Sequence, residues 1–466
     1  MPATFYKVQP SLGYQIQIQV TEKVKGDYKD IIRLATPILL GGVAQNSIAF
    51  ADTAMLARYG QPELTAVGIV SVWYLVLFMA GFAFTKGTQI FTARRLGEQN
   101  LPAIGAIFSN SFVILLGLGL LVFLALRFGS SYAMEWYFED ELARKAGTEY
   151  LEIRAYGIFF SFTGSVFLAF FLGLGIMRVL VFSMLLMSTV NIFLNYLLVF
   201  GKWGFPEMGI SGSALASNIS EGIVTIIFVV YTLVQKFHIK YSFFKRNVLS
   251  VSVASSLASI SFPIVVLTII GLLGWIVFMY FVEKMGAFDT QVSNLVKSLY
   301  MFFGLPAWAY SAAAGTIISN LMGQKLYHRV FAAIKNIAVL SFVTTAIVSL
   351  PLLLIPETFV SYTLNPELKS LVPASVPVMY VMVAALLVYS VSLIIFHGIV
   401  STGSVKVSLG IMIVTVFLYL VFVFGLFRIE GLSVAAAWST EIFYWLLLLL
   451  LSGLYFRTGR WKKTEI

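Results

Sequence analysis

Apolar runs of about 20 residues or longer, nearly free of charge, recur along this 466-residue chain and leave it few ways to fold. About 20 helical residues span the hydrocarbon core of a bilayer. In lipid every backbone N–H and C=O needs an internal partner, so such runs are expected to be helices. Twelve fall at roughly 31–57, 64–91, 104–127, 145–174, 179–200, 209–235, 252–283, 290–320, 330–354, 370–399, 407–427 and 432–456. A β-barrel would need period-two alternation through short segments, which is not the dominant pattern. Only 11% of residues are charged, against about 25% in a soluble domain. The expected class is therefore an all-α integral membrane protein.

An even number of spans puts both chain ends on one side. The loops and tails of that side hold nineteen Lys and Arg, Arg94, Arg95 and Arg178 among them. The other side holds eight: Arg58, Arg127, Arg144, Lys145, Lys202, Lys284, Lys369 and Arg428. Basic residues accumulate in cytoplasmic loops, so both ends are expected in the cytoplasm. The N-terminus lacks a signal-peptide core, and residues 1–30 read as a polar cytoplasmic tail with an alternating Gln15–Val20 patch.

The chain repeats itself. Pro37–Gly97 aligns with Pro263–Gly323 without a gap at an offset of 226 residues, matching Gly60 with Gly286, Val70 with Val296 and Ala83 with Ala309. Further on, Asn110 pairs with Asn336, Gly175–Arg178 with Gly403–Lys406 and Gly209–Ser211 with Gly431–Ser433. A six-helix offset keeps both copies in one orientation, which makes this a parallel repeat, a common plan in secondary transporters. The expected organisation is an N-terminal lobe over 31–236, a basic inter-lobe linker over 237–250, a C-terminal lobe over 251–457 and a cytoplasmic tail over 458–466.

Several classes of chemistry are disfavoured. There is no cysteine, and the three histidines are His238, His328 and His397. Disulfides and thiolate metal sites are excluded, and a His-based catalytic metal centre is not expected. No clustered catalytic set is visible, so an enzyme is not expected. An ion channel would show uncoupled conductance, whereas the duplicated lobes suit slow exchange. The net charge of +10 is read as attraction to anionic lipid, not nucleic acid.

Ionisable groups within spans are costly and are functional candidates by default. Asp52 is the clearest, about 12 Å below the surface if helix 1 ends near Gly60. Asn191 and Asn195 share a face of helix 5, at depths of about 15 and 9 Å, and Ser217 of helix 6 lies at about 12 Å. A carboxylate, two amides and a hydroxyl at one depth suit uptake of a proton or of Na⁺ by oxygen ligands. The same groups would also serve as interhelical hydrogen bonds that tighten packing. Gln45 falls on nearly the same face of helix 1 as Asp52. Glu221, one turn beyond Ser217, reads as a second proton site or a hydrogen-bonded structural acid. In the C-terminal copy the counterpart of Asp52 is Phe278. There Lys297 and Glu441 share a depth and are expected to pair and cancel; otherwise Lys297 would meet an anionic substrate. Lys86 is expected to extend toward the cytoplasmic end of helix 2.

At these residues the chain resembles the multidrug and toxic compound extrusion (MATE) family. The resemblance runs through Pro37, Asp52–Gly60, Gly87–Thr88, Arg95–Gly97, Asn191 with Asn195, and the loop Gly201–Ser217. It implies twelve helices in two pseudo-symmetric six-helix bundles around a cavity open alternately to either side. It also implies antiport, with H⁺ or Na⁺ entry driving export of bulky, mostly cationic amphiphiles and no other cofactor. The family's cation site maps onto Asp52, Asn191, Asn195 and Ser217, and Pro37 matches the bend of helix 1. Asn195 stands where several members carry a second carboxylate, and Ser217 where a threonine is common. Gly271 falls near an expected helix 7 glutamate, and helix 10 has no acid in its apolar core. The chain is therefore more similar to the DinF-type branch, with H⁺ favoured because one carboxylate stands at the core of the site. The expected setting is a monomer in the inner membrane of a prokaryote. The alternative is a lipid-linked saccharide flippase of the same superfamily, whose members commonly have fourteen spans and a cationic cavity.

Overall fold

The computed structural model describes residues 24–59, 61–245, 249–363, 370–464 and 466. Most of the expected N-terminal tail, including the Gln15–Val20 patch, and the centre of the linker at 246–248 lie outside the described residues.

The first half runs α1 Tyr28–Tyr59, α2 Gln61–Gly97, α3 Leu101–Tyr137, α4 Glu141–Leu174, α5 Met177–Val199 and α6 Gly209–Val234. A short α7, Phe237–Lys240, follows. The second half runs α8 Val251–Glu283, α9 Ala287–Phe303, α10 Leu305–Gly323, α11 Tyr327–Leu354, α12 Pro356–Thr363, α13 Val372–Ser401, α14 Val405–Leu426 and α15 Val434–Arg457. Eleven helices are long and apolar enough to cross a membrane, and α9 with α10 makes a twelfth span. The single span expected at 290–320 is thus two helices bent by 41°. Gly304 sits at the break and Pro306 opens α10, where a residue without an amide proton is tolerated. Helix ends follow local chemistry. The Asn100, Asp140 and Ser433 side chains accept from the amides of Ala103, Ala143 and Ala436. Gly175 closes α4 in the left-handed region at φ 72°, which favours glycine.

Helices α1–α6 and α8–α15 form the two bundles, and they meet through α1 and α2 against α8 and α10. The closest approach lies near the face that carries both chain ends, here called the end face. A Cβ on Gly97 would collide with the Asn320 carbonyl oxygen, and a Cβ on Gly323 with that of Arg94. Both pairs are equivalent under the 226-residue offset, so the contact is reciprocal about a pseudo-two-fold axis. Inter-lobe hydrogen bonds reinforce it. Gln89 Nε2 donates to the Ala312 carbonyl and to Thr316 Oγ1, both at 2.9 Å, and Asn320 Nδ2 to the Ala93 carbonyl at 3.1 Å. A cavity lined by residues of both lobes lies between them.

The described part of the inter-lobe linker is docked against α3 of the first lobe. Phe243 stacks on Phe108 at 4.1 Å, Phe244 N donates to Ser109 Oγ, and Ser250 N to Asn110 Oδ1. Stacked rings and satisfied amides outweigh the chain entropy that a loose tether would keep.

Candidate functional site

The first lobe draws the four primary candidates into one hydrogen-bonded chain. Asn191 and Asn195 stand one turn apart on α5, both buried. Asn195 Nδ2 donates to Asp52 Oδ1 on α1 at 2.7 Å and to Asn191 Oδ1 at 3.1 Å. Asn191 Nδ2 donates to Ser217 Oγ on α6 at 3.2 Å. Asn195 Oδ1 is buried with no hydrogen-bond partner among the described residues. An orphaned buried oxygen beside a carboxylate suits a cation or a proton donor, since an unmet acceptor in an apolar setting is costly. Gln45 does not join this chain; it lines the inter-lobe cavity. Two turns along α1 carried it out of reach of Asp52, so shared helix face did not mean shared site. Pro37 sits within an unbroken α1 and borders a small void of about 30 Å³ that also touches Trp308 and Ala312 of α10.

Sequence reasoning missed Arg154, in the middle of α4. Its guanidinium donates to Glu221 Oε1 at 2.8 Å and to Asn218 Oδ1 at 2.7 Å. The Tyr74 ring lies 4.0 Å from Arg154 Cζ, a cation–π contact. Ser161 Oγ donates to the second Glu221 oxygen. Glu221, read from sequence as a proton site or structural acid, is thus half of a part-buried ion pair. The signal was present: an arginine inside a 30-residue apolar run is costly unless partnered. Counting only loop charges hid it.

The second lobe departs from expectation. Lys297 and Glu441 do not pair. Lys297 Nζ donates to Asn294 Oδ1 at 3.0 Å on its own helix. Glu441 Oε1 accepts from the Tyr419 hydroxyl at 3.0 Å. Equal depth gave one coordinate of three, and rotation about the helix axes turned the two apart. Phe278, the counterpart of Asp52, is fully buried between Trp275 and Trp438 with centroids 5.7 Å away. Lys86, expected to extend toward the end face, borders the small void and donates at 3.3 Å to Gln89 Oε1, one turn nearer that end of α2.

A cavity of about 470 Å³ lies between the lobes. The first lobe contributes Gln45, Asn46, Phe82 and Glu221, and the second contributes Tyr300, Trp308 and Tyr389. Aromatic and apolar walls with a few polar groups suit an amphiphile, and the Glu221 carboxylate supplies an anion at the wall. The site can exchange an ion inside the first lobe next to a chamber that can hold an organic solute.

A sequence model of the MatE family matches residues 37–197 and again 263–424. A Thermotoga maritima protein described as a probable multidrug resistance protein NorM is 24% identical over 461 residues, covering 96% of this chain and 95% of its own length. A Synechocystis protein of the same description is 25% identical over 330 residues, 70% of this chain and 71% of its own. Among solved structures, one titled as the outward-facing conformation of a multidrug resistance MATE family transporter superposes with a TM-score of 0.88 at 16% identity, covering 97% of this chain and all of that one. A transporter of the MOP superfamily from Pyrococcus furiosus, whose title speaks of a binding pocket of reverse polarity, gives 0.87 at 17% identity over the same shares.

Proposed function

Because the chain belongs to the MATE family of multi-pass membrane transporters, and is no enzyme, we propose that it is a cation-coupled antiporter exporting amphiphilic, mostly cationic organic compounds by alternating access. The observation that carries this reading is the Asp52 carboxylate, held by a buried amide whose own oxygen is unmet, in the lobe that also lends an acid to the cavity wall. Relatives named as multidrug resistance proteins support the export of varied organic solutes.

The basic residues make the end face cytoplasmic, so both termini lie inside, in the inner membrane of the cell. The lobes approach closely on that side at Gly97 and Gly323, and alternating access requires the inter-lobe cavity to open to the other side for a solute to leave. Uptake of H⁺ (or Na⁺) at Asp52 removes the cost of a buried charge. Helix α1 then repacks around Pro37, whose ring leaves a carbonyl one turn earlier unpaired. Coupling requires that ion and solute favour different states, since a ligand with equal affinity for both shifts nothing. The alternative, a lipid-linked saccharide flippase, lacks support: Lys297 is engaged by Asn294 and is absent from the cavity lining.

Dye efflux in cells carrying wild type or Asp52→Asn tests the reading. Gradient-driven efflux is expected to vanish in the variant. Unchanged efflux at equal expression would remove Asp52 from the mechanism.

A further inference from the structure

Two short segments cross the seam between the lobes at the end face, one leading into α1 and one leaving α15. Residues 24–27 belong to the first lobe by their root. Asp30 Oδ2 of α1 accepts from the Lys25 and Gly26 amides at 2.7 and 3.2 Å. Their tip rests on the second lobe. The Val24 carbonyl accepts from Gln324 Nε2 at 3.1 Å, and a Cβ on Gly26 would meet the Ala333 Cβ of α11 at 2.9 Å. The segment after α15 has its root in the second lobe. The Trp461 ring stacks on Phe456 at 4.8 Å, and its Nε1 donates to the Phe456 carbonyl at 3.1 Å. Its tip is held by the first lobe. Arg94 Nη2 donates to the Thr464 carbonyl at 2.7 Å, and Arg95 Nη2 to the Ile466 main-chain oxygen at 2.8 Å.

The seats of the two segments are equivalent in the repeat. The groove beside Val24 is lined by Asp30, Arg33 and Leu34, and the groove beside Thr464 by Ser256, Ser259 and Ile260. These three pairs stand at the same 226-residue offset as the lobe contact. The grooves differ in how well they are filled. A void of about 10 Å³ remains beside Val24, against about 480 Å³ beside Thr464. The first segment is therefore packed in place, with Val24 only 5% exposed. The second is held at its tip chiefly by charge-assisted hydrogen bonds to main-chain oxygens. Such bonds are strong but break without opening a core.

We infer that the two segments are exchanged straps that hold the end face shut, and that the α15 strap is the one that lets go when that face opens. The inference rests on the alternating-access reading above. Each strap is rooted in one lobe and grips the other, so the lobes part at Gly97 and Gly323 only as a strap is released. Arg94 and Arg95 lie within one turn of Gly97 on α2, which makes release of the α15 strap and separation of the lobes one motion. The guanidinium bonds favour the closed end face alone, and a contact made in one state shifts the balance toward that state.

The chain has no cysteine, so a single introduced thiol reports on the seam. Ala93→Cys puts it where the Ala93 carbonyl meets Asn320 of the other lobe. Ala437→Cys, buried within the second lobe, is the control. Maleimide labelling rates are measured on the full-length chain in detergent. Adding Arg94→Gln with Arg95→Gln is expected to raise labelling at position 93 roughly tenfold and to leave position 437 within about twofold. An unchanged rate at position 93 overturns the inference. An equal rise at both positions overturns it too, since the arginines would then only stabilise the fold. Should the pair fail to fold, Arg95→Gln alone, at a side chain 26% exposed, must raise the rate at position 93 roughly threefold; no rise also overturns the inference. Gln324→Ala, which frees the Val24 carbonyl, is expected to give a smaller rise than the arginine pair, and a larger one would contradict the assignment of release to the α15 strap. Ligand response separates the straps from the reading beneath them. If the straps alone are wrong, labelling of the Ala93→Cys chain still responds to tetraphenylphosphonium while the arginine variants label like their parent. If alternating access is wrong, that response is itself missing and the inference falls with it.

Discussion

At position 52 the first lobe holds a carboxylate tied to an amide of α5, and at the equivalent position 278 the second lobe holds a phenylalanine wedged between two tryptophans. Both side chains sit at the same level of the same fold. What the copies share is backbone: the length of the spans, the prolines within α1 and α8, and the reciprocal approach at Gly97 and Gly323. What they do not share is polarity. The first lobe carries Asp52 in a chain with Asn195, Asn191 and Ser217, and Arg154 paired with Glu221. The second carries Glu441, the one acid buried in that lobe among the described residues, which accepts from Tyr419. The two copies thus agree in scaffold, which depends on apolar length and close packing, and differ in the few polar atoms that the proposed coupling would need.

The largest way to break this contrast is Arg154→Ala. It strands Glu221 without its cation, and removing one partner of a buried pair costs about 3–5 kcal/mol. Thermal unfolding in detergent is expected to show a large loss of stability. A loss no bigger than that of an exposed substitution would mean that the network carries no charge pairing. An intermediate effect is expected from the shared scaffold. Gly97→Leu and Gly323→Leu each push a side chain into the opposite lobe's backbone, and overpacking costs about 1–3 kcal/mol. Pseudo-symmetry predicts similar losses for the two, read as reduced cross-linking between the lobes at the end face. Strongly unequal losses would show that the contact is not reciprocal. The smallest effect belongs to Lys297→Ala, which removes a part-exposed hydrogen bond to Asn294 and is expected to change stability by under about 0.5 kcal/mol. A loss of several kcal/mol would revive the pairing with Glu441.

Much of the scaffold was legible in the sequence, because lipid imposes a length and an internal hydrogen-bond requirement that leave a strong pattern. The twelve spans and the repeat follow from it, whereas the role of Gly97 and Gly323 at the lobe contact is visible only in the structure. Asp52, Asn191, Asn195 and Ser217 were grouped by depth and face, and they are joined by hydrogen bonds here. The same reasoning failed for Lys297 and Glu441, whose equal depth said nothing about rotation. It passed over Arg154 because an arginine in an apolar run contributes little to a loop count. The span read at 290–320 is bent by 41° between α9 and α10, a break that the sequence reading did not anticipate at Gly304 and Pro306.

The most direct measurement of where coupling resides is ion-gradient-driven solute flux in proteoliposomes carrying equal amounts of Asp52→Asn or Glu441→Gln. With Asp52 as the coupling group, the first variant is expected to fall to the rate of protein-free vesicles, and the second to stay within about threefold of wild type. Flux retained in Asp52→Asn and lost in Glu441→Gln would put coupling in the second lobe and contradict the account.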